Sequence, residues 1–306
     1  METVFLYNES LFFRHRLKII AKKIAGKNIG GPQAVFGNLG YGLRQLGQRL
    51  KINIRSGFSG SAIGVVSGID ALQWAIEQKK QGKVHKILAG PNIAMPKEAK
   101  GIIFHPEVDI FLVPSQWTKN FCLSFNQNAE PRIKVWAAGV KTLPLPESRK
   151  ILANKCLIYK KDNQPQLLQR IKTYLKARNI SSIELQYGNF SQSEYFQALK
   201  EVNWAIFMSA SESQGLALHE AWMMNVPTLV WGGGHMKSGS YEWNNSSPAP
   251  YLTEDCGMLF SSGSDFPKIL EKFLNQLTLF APRRYHLENF TPEITAQKYL
   301  TILNSL

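Results

Sequence analysis

Residues 209–231 read SASESQGLALHEAWMMNVPTLVW, and two carboxylates, Glu212 and Glu220, stand eight positions apart in a run otherwise small, hydroxylic or apolar. The preceding NWAIFMS (203–209) predicts a strand, which puts Glu212 in the loop at its carboxyl end, where open α/β sheets bind ligands. Gly215 then opens LALHEAWMMN, a stretch apolar on nearly every face that predicts a buried helix. At about 3.6 residues per turn, Glu220 lies just over one turn in, on the side of Leu216. Both carboxylates can therefore look into one cleft. Amides at Gly215 and Leu216 suit an anion, and a carboxylate accepts paired hydrogen bonds from vicinal hydroxyls. That chemistry fits a nucleotide sugar. Taken alone, the spacing is served equally well by Glu212 at the helix dipole and Glu220 beside a buried cation.

Positioning such a pair requires a scaffold, and the chain supplies a periodic one. Strand candidates are TVFLY (3–7), AIGVVS (62–67), KILAG (86–90), DIFLVP (109–114), IKVWAAG (133–139), KCLIYK (155–160), SSIELQY (181–187), NWAIFMS, PTLVW (227–231) and CGMLF (256–260). Amphipathic stretches at 33–48, 69–80, 115–126, 165–178, 191–201 and 215–225 separate most of them. This alternation predicts an α/β fold of parallel sheets covered by helices on both faces. At 306 residues, 44% hydrophobic and 19% charged, the chain has the length and composition for two packed domains. KTLPLPESRK (141–150) breaks the pattern with Pro144 and Pro146 and reads as the linker. The expected domains are 1–141, 142–285 and a C-terminal helix over 286–306 that starts at Thr291-Pro292-Glu293 and packs on either domain.

The region around the two glutamates resembles the E-x7-E motif of retaining GT-B glycosyltransferases, particularly those of family 4. Glu212, Gly215-Leu216, Glu220-Ala221 and Pro227 all fall in that pattern. NIGGPQAVFGNLGYGLRQLG (28–47) looks like the family's N-terminal glycine loop and helix. FLVPSQWTKNF (111–121) and IKVWAAGV (133–140) look like its strand-Pro-Ser-helix and strand-Gly elements. The resemblance spans most of the chain. It implies the GT-B architecture, two Rossmann-like doubly wound domains facing across a cleft, and a metal-independent retaining hexosyltransferase with no cofactor beyond its donor. It further implies that Glu212 contacts the donor hexose and acts catalytically, and that Glu220 contacts the ribose. Gly215, Leu216, Gly30 and Gly31 would present amides to the diphosphate.

Three places depart from the family pattern. The Arg and Lys that usually grip the pyrophosphate are replaced by Lys160 and Lys161, which suit phosphate as point charges and equally suit a solvated loop end. The usual active-site His after an N-terminal-domain strand has Asn92, in AGPNIAMP (89–96), at its place. WGGGHMKSGSYEWNNSSPAP (231–250) exceeds the usual loop; His235, Tyr241, Glu242 and Trp243 are its candidates for sugar or acceptor contacts, and an irregular surface loop reads the same residues equally well. The sequence contains no DxD triplet.

Charge is unevenly spread. Residues 1–141 hold 20 Lys+Arg against 8 Asp+Glu, whereas residues 142–306 hold 16 against 14. The basic half suits an anionic partner. Within it, LFFRHRLKIIAKKIAGK (11–27) winds into a basic amphipathic helix in which Arg14, Arg16, Lys18, Lys22 and Lys23 suit an anionic membrane surface, or simply a solvated face. No nucleic-acid module accompanies the charge. METVFLYNES is not a secretory signal, no apolar run reaches a membrane span, and Cys122, Cys156 and Cys256 have no metal spacing, so the expected location is cytoplasmic, peripheral to a membrane if that helix docks. The expected activity is hexosyl transfer from a UDP- or GDP-linked sugar to a glycan or lipid-linked acceptor. A GT-B nucleotide-sugar epimerase and a non-catalytic membrane- or polyanion-binding relative are the alternatives.

Overall fold

Strand and helix alternate along nearly the whole chain. The computed structural model describes residues 3–13, 15, 17, 30–145 and 154–306. Its elements in order are β1 (Thr3–Tyr7), α1 (Gly31–Gln45), β2 (Arg49–Ile52), β3 (Ser61–Ser67), α2 (Ile69–Lys80), β4 (Val84–Asn92), β5 (Ile110–Val113), α3 (Gln116–Leu123) and β6 (Ile133–Val135). They continue with β7 (Lys155–Lys160), α4 (Pro165–Ala177), β8 (Ser181–Gln186), α5 (Gln192–Glu201), β9 (Ala205–Met208), α6 (Leu216–Met223) and β10 (Thr228–Trp231). Then come β11 (Met236–Ser238), β12 (Tyr241–Trp243), β13 (Gly257–Phe260), α7 (Phe266–Asn275), α8 (Pro282–Asn289) and α9 (Pro292–Asn304).

Two units result, Met1–Lys141 with Phe290–Leu306, and Thr142–Asn289. The first holds a parallel sheet in the order β2-β1-β3-β4-β5-β6. One face buries Phe5, Tyr7, Ile63 and Val65 against Ala71, Leu72 and Ala75 of α2. The opposite face meets α1 and α9. Thr291 caps α9, its hydroxyl accepting from the Ile294 N–H at 3.3 Å, and Pro292 fills the first turn, where a missing N–H costs nothing. Trp136 Nε1 donates to the Thr295 carbonyl at 2.9 Å, and the Val140 N–H donates to the Phe290 carbonyl at 2.9 Å. This is why the strand expected over 133–139 stops at Val135. Its second half leaves the sheet to hold α9.

The second unit holds a parallel sheet in the order β13-β10-β9-β7-β8. Helices α5 and α6 cover one face with Tyr195, Leu199, Leu218 and Trp222; α4 and α7 cover the other with Ile171, Leu175, Phe266 and Phe273. Each such large side chain contributes roughly 1.5–3 kcal/mol by leaving water. Arg283 on α8 donates to the carbonyls of Met223 and Leu143, so the C-terminal end of α6 is tied to the segment by which the chain enters the unit.

Two elements depart from expectation. RLKI (49–52) forms β2, an edge strand whose charged alternation hides its strand character. Residues 236–243 form an antiparallel hairpin, β11–β12, and not an irregular loop. The basic stretch carrying Arg14, Arg16, Lys18, Lys22 and Lys23, and the linker residues 146–153, lie outside the described residues. Phe13 and Leu17, at the near end of the basic stretch, are 72% and 50% exposed. Among the described residues no helix is long and apolar enough to cross a membrane.

The close approach of α1 and α9 requires Gly42, where an added Cβ would strike the Pro292 carbonyl, whereas one at Gly37 on the same helix meets nothing within 4 Å. We expect Gly42→Ala to destabilise the chain by about 1–3 kcal/mol through overpacking against backbone. Gly37→Ala should stabilise it by about 1 kcal/mol through helix propensity. Urea unfolding of the two variants, read against wild type, checks the opposite signs.

Candidate functional site

The carboxyl end of β9 turns through Ser209–Gly215 into α6. Gly215 takes φ 85° and ψ 56°, a left-handed conformation that a side chain resists, and thereby reverses the chain into the helix. Gly215 has no side chain with which to cap α6, so the helix start opens on bare backbone. Such an end attracts negative charge.

Glu212 is held from several sides. Its Oε1 accepts from Lys161 Nζ at 2.9 Å and from Ser209 Oγ at 3.1 Å, and its own N–H donates to the Ser247 carbonyl at 2.8 Å. Its side chain is 17% exposed. Asp162, the neighbour of Lys161 in the loop after β7, accepts from the Ala210 N–H at 2.5 Å. The β7 and β9 loops are thus joined twice, once by charge and once by a backbone cap.

Glu220 lies one turn further along α6 and is half-buried. Its Oε1 accepts from Gln192 Nε2 at 2.8 Å. Burial pushes its carboxyl up to about 7, against which the Gln192 amide works in part. Tyr159 and Tyr195, both buried, are driven above the usual phenol range first by desolvation and then by the negative potential of Glu212 and Glu220. Both carboxylates therefore act on one aromatic cluster, in which Tyr159 stacks on Phe207 at 4.8 Å and meets Tyr195 at 5.7 Å. The structure brings Glu212, Glu220, Gly215, Leu216 and Lys161 together at the carboxyl edge of the second sheet.

The two lysines part. Lys160 Nζ binds Glu184 at 2.9 Å, an acid that Lys172 also holds at 2.5 Å, so Lys160 joins the β7–β8 ladder while Lys161 turns to Glu212. Lys161 also stands 5.7 Å from the centre of the Tyr187 ring, which follows β8 and is 55% exposed.

His235, Tyr241, Glu242 and Trp243 belong to the hairpin, which leaves the carboxyl end of β10, the strand beside β9. His235 Nδ1 contacts Asn244 Oδ1 at 2.6 Å and its Nε2 contacts Glu242 at 3.3 Å. The hairpin base leans on the Glu212 loop through the Ser247 carbonyl and through Gly233, whose position faces Ala210.

In the first unit, Gly30 and Gly31 begin α1 at the carboxyl edge of β1, where Gln33 Nε2 donates to Glu9 at 2.5 Å. Asn92 ends β4; its carbonyl accepts from Gly68, and its Nδ2 is buried with no hydrogen bond among the described residues. His15 and Asp70 pair at 3.0 Å nearby.

Sequence reasoning missed Gln192, Asp162 and Glu9, whose partners lie 28, 48 and 24 residues away. No local pattern signals such pairings. The hairpin did carry a signal, the Gly239-Ser240 pair between two alternating runs. Among the described residues no three His, Cys, Asp or Glu side chains cluster as a metal site.

Two parallel-sheet Rossmann-like domains, matched along their length by solved glycosyltransferases, define the GT-B architecture. No protein-family model and no curated protein matches the chain. Among solved structures it is similar to the lipopolysaccharide outer core galactosyltransferase WaaB in its apo form, at 14% identity and TM-score 0.59 over 100% of both chains. It is similar to sucrose-phosphate synthase from Thermosynechococcus elongatus at 11% identity and TM-score 0.58, over 100% of this chain and 99% of the other. WaaG, a glycosyltransferase involved in lipopolysaccharide biosynthesis, matches at 11% identity and TM-score 0.51 over 99% of each chain. At such identities the likeness shows the fold.

Glu220 links the site to pH. A carboxyl raised to about 7 from the usual value of 4.5 binds its proton more tightly folded than unfolded. Its contribution to stability is complete below the unfolded value and is lost as pH rises through the folded one. We expect Glu220→Gln, which keeps the shape without the charge, to gain on wild type in melting temperature between about pH 5 and pH 8. Parallel melts across that range check the sign.

Proposed function

We propose that the chain is a glycosyltransferase that moves a hexosyl unit from a nucleotide diphosphate sugar, UDP- or GDP-linked, to a glycan or lipid-linked acceptor. The observation that carries this reading is the pair Glu212 and Glu220 at two depths of one glycine-opened helix start, with Lys161 beside the shallower one. On this reading the donor lies along α6. Its diphosphate meets the amides of Gly215 and Leu216 and the Lys161 ammonium, its hexose meets Glu212, and its ribose meets Glu220. Lys160 joins the phosphate contacts only by leaving Glu184.

In the reaction the bond from the anomeric carbon to the diphosphate oxygen breaks and a bond to the acceptor hydroxyl oxygen forms. The hydroxyl proton leaves on the released diphosphate. Helix-start amides and an ammonium placed where charge builds on that leaving group lower the barrier, because they are oriented before the reaction begins. Glu212, fixed by Lys161 and Ser209, orients the sugar. We assign retention of anomeric configuration and independence of metal ions on the resemblance of the E-x7-E segment to retaining enzymes. WaaB, a galactosyltransferase, and TarM, solved in complex with UDP, support the same chemistry by analogy.

Gly30 and Gly31 are assigned to the donor phosphate and Asn92 to the place of the usual active-site His. The acceptor is assigned to the first unit, and His235, Tyr241, Glu242 and Trp243 of the hairpin are assigned to sugar or acceptor contacts. The basic stretch of residues 11–27 is assigned to an anionic membrane surface carrying a lipid-linked acceptor, which makes the protein peripheral to the membrane on its cytoplasmic side.

A thermal-shift screen of UDP, GDP and ADP sugars tests the donor. At a hundredfold excess over its dissociation constant, one donor should add about 2.7 kcal/mol of stability. Glu220→Ala should weaken that donor by about 10- to 100-fold, the usual loss when hydrogen bonds to a charged group are removed. Glu212→Ala should depress transfer more than nucleotide affinity. No shift with any donor, or mutants that respond as wild type does, would mean that the two acids are structural. The anomeric configuration of the isolated product checks retention.

A further inference from the structure

Gln192 occupies the first turn of α5, a helix whose start is secured without it. Ser191 caps the helix, its Oγ accepting from the Glu194 N–H at 3.2 Å, and Glu194 accepts in return from the Ser191 N–H at 2.6 Å. The Gln192 side chain is thus spared from capping and crosses to α6, where Nε2 donates to Glu220 Oε1 at 2.8 Å. The same two helices are pinned by Tyr195, whose buried hydroxyl donates to the Ala217 carbonyl at 2.7 Å. One contact fixes the register of α5 against α6; the other sets an exposed amide at the mouth of a half-buried carboxylate.

A carboxylate only accepts hydrogen bonds when ionised, whereas a hydroxyl both donates and accepts. Glu220 alone would therefore read half of what a sugar hydroxyl offers. The side-chain amide carries two N–H donors and a carbonyl oxygen. With one N–H directed at Glu220, the amide keeps a second N–H donor to complete the complement of a hydroxyl placed against both.

We propose that Gln192 is a specificity-determining residue of the donor site, which with Glu220 clamps the vicinal hydroxyls of the nucleotide ribose. One hydroxyl donates to Glu220 and accepts from Gln192, while its neighbour donates to the second carboxylate oxygen. The clamp selects ribonucleotides, since removal of the 2′-hydroxyl strands a donor and an acceptor together, and sites built to hydrogen-bond a hydroxyl reject the analogue that lacks it. This inference rests on the donor reading above.

Calorimetric titration of the full chain with UDP, GDP and ADP, each against its 2′-deoxy counterpart, tests it on wild type, Gln192→Leu and Gln192→Glu. Leu fills the space of Gln without polar atoms, and Glu keeps the shape without N–H donors. The nucleotide that binds wild type should do so about tenfold or more tightly than its 2′-deoxy form, and both variants should narrow that ratio to about threefold or less. A merely structural role would weaken both forms alike and leave the ratio standing. An unchanged ratio in the variants, or a wild type that does not discriminate, overturns the clamp and leaves the donor site intact. A wild type that binds none of the nucleotides overturns the donor reading and the clamp together.

Discussion

A carboxylate kept half out of water is the constraint around which the second unit is arranged. Glu220 sits on a helix whose other positions, Leu218, Ala221, Trp222 and Met223, are buried. An acid there forfeits hydration, and burial raises its proton affinity accordingly. The surroundings make the position tolerable without neutralising it. Gln192 supplies one hydrogen bond, and the tyrosines behind it stay protonated. Packing alone would be better served by an apolar residue. The position is therefore unfavourable for the empty protein, and on the proposed reading a ligand that brings hydroxyl donors relieves it.

Glu212 illustrates the complementary solution. It lies in a loop and pairs with Lys161, with its backbone held by Ser247. One acid is positioned by burial and the other by charge, and the left-handed turn at Gly215 sets the distance between them. A sheet edge on which β7, β8 and β9 end together supplies the loops, so the polar groups arrive from separate segments on a rigid base.

Much of this was legible in the residues. Central strands such as TVFLY and KCLIYK announce themselves because both faces are buried, leaving no polar position to break the run. The helix start at Gly215 was legible because glycine, loop and apolar helix follow one another locally. The partners were not. Gln192, Asp162 and Glu9 are ordinary polar residues until the fold sets them beside Glu220, Ala210 and Gln33, and nothing in their neighbourhoods marks them. Edge strand β2 was hidden by the arginine and lysine that protect it from pairing with another chain. The hairpin was hidden by the absence of a long apolar run, although its glycine-serine turn was in view.

The last helix has a consequence for how the chain is made. α9 belongs to the unit formed by residues 1–141, yet the whole of 142–289 is synthesised before it. The groove on α1 that receives it, with Gly42 at its floor, waits uncovered while the entire second unit emerges and folds. The entropic penalty of closing so long a loop grows only with the logarithm of its length, so the delay concerns exposure more than stability. During synthesis the nascent first unit is an unsealed half-product, sticky on one face. The first unit is closed only when α9 reaches α1.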